Sequence, residues 1–357
     1  MLKLSDREWK SFNLIDDNMF YIDDVKTFKS TAAVLDDGVL DIVGATSKNN
    51  GNVGFLPKKH KDYLIKGNCI CLIKTGQGSV GNAVYKQGEF VPSNNVCVIR
   101  SSWLNEYNGL FIVTEINKQA GRYSYGYIRN NTRIRKEQLL LPMTENGTPD
   151  YEFMERFIKE REAQKRKEYL DYCEEQLKII GGEYNLIPLA EKQWKAFFIG
   201  GDNGLFEIYS GKRLTVANMT EGECPFIGAT DSNNGITNWV GNRNETYDLN
   251  VLGVNYNGSV VENFYHPYHC VFSDDVKRLH LKECEDNKFV LLFFSRLILM
   301  QKAKYTYGYK FNGTRMNRQK ILVPITDNGE PDYEYMEKYS RNLLRNKIQS
   351  YIDYAAN

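Results

Sequence analysis

The chain has 357 residues and no long apolar run. Its longest, Phe289 to Met300, is broken by Ser295 and Arg296; it is too short to span a bilayer and predicts a buried element. The start MLKLSDREWK is polar and lacks the apolar core of a secretory leader, so none is expected. The seven cysteines are scattered, with only Cys69 and Cys71 close together, which fits reduced thiols and a cytoplasmic protein better than a disulfide framework. Neither sign of charge is in excess: 46 Lys+Arg stand against 45 Asp+Glu, so partners must be sought in how charge is distributed. No Gly-x-Ser-x-Gly elbow, P-loop lysine or Pro-Pro-Tyr methyltransferase box is present, and nothing argues for catalysis.

What the chain does have is a tandem repeat. Residues 121–157 and 303–339 match at 18 of 37 positions at an offset of 182. The match continues upstream with small shifts. Trp9-Lys10-Ser11-Phe12 pairs with Trp194-Lys195-Ala196-Phe197, and the Gly-Ala-Thr-x-x-Asn-Asn-Gly stretch from Gly44 to Gly51 pairs with that from Gly228 to Gly235. Gly78-Ser79-Val80 pairs with Gly258-Ser259-Val260. The middles of the two copies differ most.

Each copy opens with about 140 residues of short β-prone runs (Cys69–Lys74, Ala83–Tyr85, Val96–Arg100, Val251–Tyr256) punctuated by Gly and Asn. Arg100–Lys118 and Lys282–Lys302 have a helical pattern, so a mixed α/β module with an irregular sheet is expected. Each copy closes with a helix. Asn146-Gly147 and Asn328-Gly329 make turns, Pro149 and Pro331 suit a first helical turn, and Asp150 and Asp332 favour its positive end. Apolar residues then recur at helical spacing until Gly181-Gly182 stops the first helix. Each helix carries an apolar stripe, most economically buried against the other helix. Chain order then requires two long antiparallel helices and a pseudo-twofold relation between modules. The expected α/β architecture is a first module at 1–148, a central spacer helix at 149–182, a second module at 183–330 and a distal helix at 331–357.

Several motifs dissolve on inspection. Gly76-Gln77-Gly78-Ser79-Val80-Gly81 spells a dinucleotide fingerprint, but a strand-like NAVYKQGEFV follows where a helix is required, so a hairpin turn is expected. His266-Pro267-Tyr268-His269-Cys270 has no counterpart in the first copy and no metal-ligand spacing, and is read as strand and loop. Pro149-Asp150-Tyr151-Glu152 lacks the spaced Glu-x-Lys of a nuclease and is read as a helix start. Lys159–Lys167 interleaves with Glu160 and Glu162 as a solvated helix face.

Two kinds of segment survive as binding candidates. The first is basic, aromatic and free of acids in both copies: Arg122, Tyr125, Tyr127, Arg129, Arg133 and Arg135, then Lys304, Tyr307, Tyr309, Lys310, Arg315 and Arg318. It admits two readings, a phosphate-binding patch or a Tyr-rich strand packed on the core. The second is a set of amide and hydroxyl loops: Asn49, Asn50, Gln77 and Ser79, then Asn233, Asn234, Asn257 and Ser259. Asn and Gln can recognise adenine bidentately, although Asn-Gly is also a plain turn signal.

The order of these parts, from Trp-x-x-Phe through Gly-Ala-Thr-x-x-Asn-Asn-Gly and Tyr-Gly-Tyr to Asn-Gly-x-Pro-Asp-Tyr-Glu-x-Met-Glu, resembles the specificity (S) subunits of type I and type IIB (BcgI-like) restriction–modification systems. The resemblance covers essentially the whole chain. The Pro-Asp-Tyr-Glu start leans toward the BcgI-like group, and the chain is short for a type I S subunit, which leaves the choice between the two open. The resemblance implies two target-recognition domains that each read half of a split double-stranded DNA site, with the helices forming a coiled coil that docks methyltransferase-bearing subunits. S-adenosylmethionine, Mg²⁺ and any nuclease site would belong to those partners. A spacer helix of about 32 residues would be ~48 Å long, enough to serve major grooves a turn of ~34 Å or more apart. The rival readings are a protein-interaction scaffold and a stand-alone nuclease or methyltransferase.

Overall fold

The structure is a computed structural model that describes residues 1–29, 34 and 38–356. Its contacts divide the chain into two units, Met1–Tyr169 and Leu170–Asn357. No helix among the described residues is long and apolar enough to cross a membrane.

Unit 1 runs β1 (Trp9–Asn13), β2 (Tyr21–Asp23), β3 (Leu40–Val43), β4 (Asn52–Leu56), β5 (Cys69–Ile73), β6 (Ala83–Lys86), β7 (Val91–Pro92), β8 (Val96–Arg100), α1 (Glu106–Lys118), α2 (Asn131–Ile134) and β9 (Gln138–Pro142), then enters α3 (Tyr151–Ile180). The strands form a four-stranded sheet in the order β2-β8-β5-β6, a three-stranded sheet β4-β3-β7 and the ribbon β1-β9. The apolar run Cys-Ile-Cys-Leu-Ile of β5 is buried throughout because the larger sheet is covered on both faces. Ile70 and Leu72, with Ile99, face the core that holds Phe111, Ile112 and Ile116 of α1. Cys69 and Cys71, with Val96 and Val98, face Val43 of the small sheet.

Unit 2 repeats this order. It contains β10 (Trp194–Phe198), β11 (Phe206–Ser210), β12 (Cys224–Ile227), β13 (Ile236–Val240), β14 (Val251–Asn255), β15 (Asn263–His266), β16 (Val271–Phe272), β17 (Val276–Leu281), α4 (Lys288–Leu299), α5 (Gly313–Arg318), β18 (Lys320–Pro324) and α6 (Tyr333–Ala356). Its sheets are β11-β17-β14-β15, β13-β12-β16 and β10-β18, strand for strand the topology of unit 1. The apolar run Phe289–Met300 is α4, with Phe289, Val290, Leu291, Phe293, Phe294 and Ile298 buried.

The module helices are shorter than the pattern predicts. Arg100 ends β8, where its guanidinium binds Asp23 and the carbonyls of Lys66 and Gly67. Helix α1 starts only at Glu106, where the Asn105 side chain accepts from the Tyr107 and Asn108 amides. Likewise Asn287 starts α4. The exits lie where the sequence reading puts them, except that Pro149 and Pro331 precede the helices and bridge Met143 and Ile325: Asp150 accepts from the Phe153 amide at 2.9 Å and Asp332 from the Tyr335 amide at 2.9 Å. Arg7 and Lys192 brace these caps at 2.7 and 2.6 Å.

The long helices divide their apolar stripes. The first turns serve the modules: Tyr151 stacks on Trp103 at 3.7 Å, and Met154 and Met336 are fully buried in the cores of their units. Within unit 2, Cys173, Leu177 and Ile180 of α3 pack with Leu344, Ile348, Tyr351 and Ile352 of α6. Gly181 closes α3 at φ +83° with its amide on the Leu177 carbonyl. Arg341 donates to the carbonyls of Ile179 and Ile180, and Arg345 to that of Gly181. The middle of α6 therefore meets the end of α3 while its later turns pack along earlier turns of α3, so the two helical segments run antiparallel.

Candidate nucleic-acid interface

Three of the loops singled out in the sequence meet at one edge of unit 1. The turn Gly76–Gly81 joins β5 to β6 as a hairpin connection, with Gly76, Gly78 and Gly81 all at positive φ. Ser79 donates to the Ala45 carbonyl at 2.9 Å and ties this turn to the loop before Asn49. Gly81 sits so tightly against Ala120 that a Cβ there would meet its carbonyl oxygen at 2.6 Å. The Arg129 amide donates to the Lys74 carbonyl, which joins the basic segment to the same edge. Unit 2 repeats the tie between turn and loop: the Ser259 amide binds the Ala229 carbonyl, and Asn255 donates to the Thr230 carbonyl at 2.9 Å.

At this edge the chain makes a turn of three successive left-handed residues, Asn49, Asn50 and Gly51 at φ +48, +49 and +78°. Asn233, Asn234 and Gly235 repeat it at +51, +52 and +77°. Asn and Gly are the residues that tolerate this region. The two asparagines of each turn have different duties. Asn50 donates to the Tyr85 carbonyl at 3.2 Å, and Asn234 to the Tyr265 carbonyl and the Tyr268 hydroxyl. The side chains of Asn49 and Asn233 are exposed and bonded to nothing among the described residues, so their amides are available to a ligand.

The basic aromatic segment is not a strand in either unit. It is a 3-10 turn, a tight hairpin and a short helix. Ser124 pairs with Tyr127 and Thr306 with Tyr309 across the hairpins. Asn130 and Asn312 cap the helices by accepting from the Arg133 and Arg315 amides. Tyr123 stacks on Tyr127 at 6.0 Å and Tyr305 on Tyr309 at 5.7 Å. The guanidiniums of Arg133 and Arg315 lie 3.6 and 3.8 Å from the ring centres of Tyr127 and Tyr309. Both also donate to hairpin carbonyls, of Ile128 and Lys310. Arg122, Arg135, Lys310 and Arg318 have no acidic partner among the described residues, and Lys304 reaches only the Gln301 amide oxygen. Gln77 is exposed at its turn.

Two expected contacts are corrected by burial. Arg129 is 1% exposed: it forms an ion pair with Glu137 and donates to the carbonyls of Gly81 and Asn82. A solvated cation there would be unpaired in the core, so its charge belongs to the fold. The Tyr123 hydroxyl donates to the same carboxylate, and burial together with that carboxylate pushes the phenol pKa up. Ser79 is 5% exposed and its hydroxyl is committed to Ala45. Three amides are also structural: Asn50, Asn234, and Asn257, which binds Asp275 at 2.8 Å. Ser259 is half-buried.

Sequence reasoning missed Trp239. It stands 59% exposed on β13, an edge strand of the small sheet in unit 2, where unit 1 has Phe55. The alternation Ile-Thr-Asn-Trp-Val, which points Thr237 and Trp239 outward, was the available signal. Also missed were Asn68 and Asn250, left-handed at φ +50 and +53°. Each accepts from a tyrosine hydroxyl (Tyr85, Tyr265) and donates to a carbonyl (Leu104, Asp286), pinning the sheet to the loop before the module helix.

Comparison with known proteins agrees with this duplicated architecture. Residues 6–170 and 191–352 each match the family model described as type I restriction modification DNA specificity domain. The chain is 46% identical over 254 residues to the type II restriction enzyme BgcI specificity subunit S.BcgI of Heyndrickxia coagulans, an alignment covering 71% of each chain. The crystal structure of the type I restriction-modification S subunit from M. genitalium covers 99% of this chain and 94% of its own, with a TM-score of 0.53 at 15% identity, which shows a shared fold.

Proposed function

The chain belongs to the type I restriction–modification DNA specificity family, as a specificity subunit, and from that premise we propose how its parts divide the work. Each unit reads one half of a bipartite, asymmetric double-stranded DNA site. The observation that carries this reading is the repetition of one edge in both units: a left-handed Asn-Asn-Gly turn with one unspent amide, beside a hairpin rich in unpaired cations. Cations engage phosphates without regard to sequence, and amides can address base edges. The small sheets, which carry Phe55 in one unit and Trp239 in the other, supply the difference between half-sites.

Catalysis is assigned to partner subunits, with S-adenosylmethionine and Mg²⁺ bound there and the whole complex working in the cytoplasm. Unit 2 has a docking place suited to such a partner. A groove of about 1020 Å³ lies between α4, β18 and α6, with Leu292, Met300, Leu322 and Leu343 along it and Arg296, Lys304, Lys320 and Lys347 at its rim. An apolar floor within a cationic rim suits an acidic amphipathic helix.

The decisive experiment replaces residues 1–140 with the matching segment of another such chain and maps the DNA sites modified in cells. One half of the recognised site should change and the other should stay. A change in both halves, or in neither, sinks the two-reader model.

A further inference from the structure

Both hairpins end in an exposed ring, and we propose that Tyr125 and Tyr307 make matching, sequence-blind stacking contacts with nucleotides of the bound DNA. The inference rests on the reading of both units as DNA-binding. Tyr125 is 88% exposed and Tyr307 76%, and both sit at the hairpin tips between the bridged pairs Ser124/Tyr127 and Thr306/Tyr309. Tyr125 makes no ring contact or side-chain hydrogen bond among the described residues, and Tyr307 has only Lys310 near its ring, at 5.2 Å. Neither ring contributes to a core.

Beneath each exposed ring the hairpin is stiff. Tyr123, Tyr127 and Arg133 form one stacked support and Tyr305, Tyr309 and Arg315 the other, with the arginines also stitched to hairpin carbonyls. A ring held on a rigid support loses little freedom when it binds, which favours an anchoring contact. The flanking charges choose the partner. Arg122, Arg135 and Lys136 in the segment of one tip, and Lys310 and Arg318 in that of the other, have no acidic partner among the described residues, so these segments approach a polyanion favourably.

The side chain decides the kind of contact. A base-reading group present at the same place in both units, the role proposed above for Asn49 and Asn233, demands the same base in both half-sites. A ring wedged at a base step or laid against its sugars makes no such demand, because it reads no hydrogen-bonding edge. The tips therefore hold each unit on the duplex while other residues discriminate.

The test uses the full chain with the subunits that co-purify with it. Tyr125→Ala, Tyr307→Ala and the corresponding Phe variants are titrated against a duplex carrying the chain's own mapped site and against a scrambled duplex of equal length. Each Ala variant should weaken both duplexes by the same factor, roughly five- to hundredfold, and each Phe variant should stay within about twofold of the unsubstituted chain. Ala variants that bind both duplexes normally overturn the proposal. So does a loss confined to the mapped site, which would make the tips base readers, or a loss of co-purifying subunits with DNA affinity intact, which would make them protein docking points. If the unsubstituted chain binds neither duplex, the failure lies with the DNA-reading premise.

Discussion

The two units share a topology and stitch it together with different chemistry. Where unit 1 buries Arg129 against Glu137, unit 2 has Phe311 and Gln319 at the matching positions, with Phe311 fully buried and Gln319 accepting from the Tyr305 hydroxyl at 2.7 Å. Arg100, which ends β8 by binding Asp23 and two carbonyls, is matched by His280, held between Asp248 at 3.0 Å and Asp286 at 2.6 Å. Lys86 is matched by His266, fully buried against Phe272 with its Nε2 unpartnered. The strand registers that equate these residues are the same. Apolar packing thus sets the module, and different polar joints between its loops serve the same topology.

That comparison has consequences that differ in size. The largest concerns the ionic joint. Arg129→Ala leaves Glu137 without its cation in a largely buried site, with only the Tyr123 hydroxyl on it, and should cost about 3–5 kcal/mol. The pair Arg129→Phe with Glu137→Gln, which copies unit 2, should recover most of that loss in a denaturant titration. A double variant as unstable as the single one would show that the joints are not interchangeable.

Next comes the division of labour inside the left-handed turn. Asn49→Gly keeps the backbone conformation and removes only the unspent amide, so it should leave stability unchanged and cost about 1–3 kcal/mol of discrimination in one half-site. Asn50→Gly should do the reverse, losing about 0.5–1.5 kcal/mol of stability with sequence preference intact. Competition binding beside a thermal melt separates the two; identical behaviour would refute the division.

The titrating joints belong to unit 2. Asp248 and Asp286 raise the His280 pKa to about 9, above the ~6.5 of an unfolded histidine, so its stabilisation is full below pH ~6.5 and is lost as pH rises through 9. Burial lowers His266 to about 4, so the folded chain keeps it neutral while the unfolded chain takes up a proton, and stability falls as pH drops from ~6.5 toward 4. Melting followed from pH 6.5 to 9.5 should decline, and His280→Gln should flatten that decline. A slope that survives the substitution would place the titration elsewhere.

The smallest effects fall on the surface. Arg135→Ala or Arg318→Ala should move stability by no more than about 0.5 kcal/mol, while the slope of log affinity against log salt drops by about 0.9. Arg133→Ala and Arg315→Ala should flatten salt dependence too and also loosen the hairpins they support. Unchanged affinity across a salt series would remove these residues from the interface.

The duplication, the helix exits at Asp150 and Asp332 and the stop at Gly181 were legible in the sequence because each rests on local chemistry: spacing, a cap or a glycine. The helix starts at Glu106 and Lys288 were displaced because long-range bonds hold the preceding strands, as at Arg100. Within the candidate interface, composition marked the right segments but could not sort their members. Arg129 and Arg135 look alike in a basic stretch, and only the fold shows that one faces Glu137 and the other faces solvent. The same holds for Asn49 and Asn50, neighbours separated by one carbonyl. Trp239 was overlooked because an edge strand cannot be told from an inner one by its own residues.

Three successive left-handed residues leave a site with a short alphabet, Gly and Asn foremost. On the proposed reading, whatever Asn49 and Asn233 touch stays the same in every variant that keeps the turn, and a change of target has to be written on surfaces such as the outer edge of β13, where the backbone is ordinary.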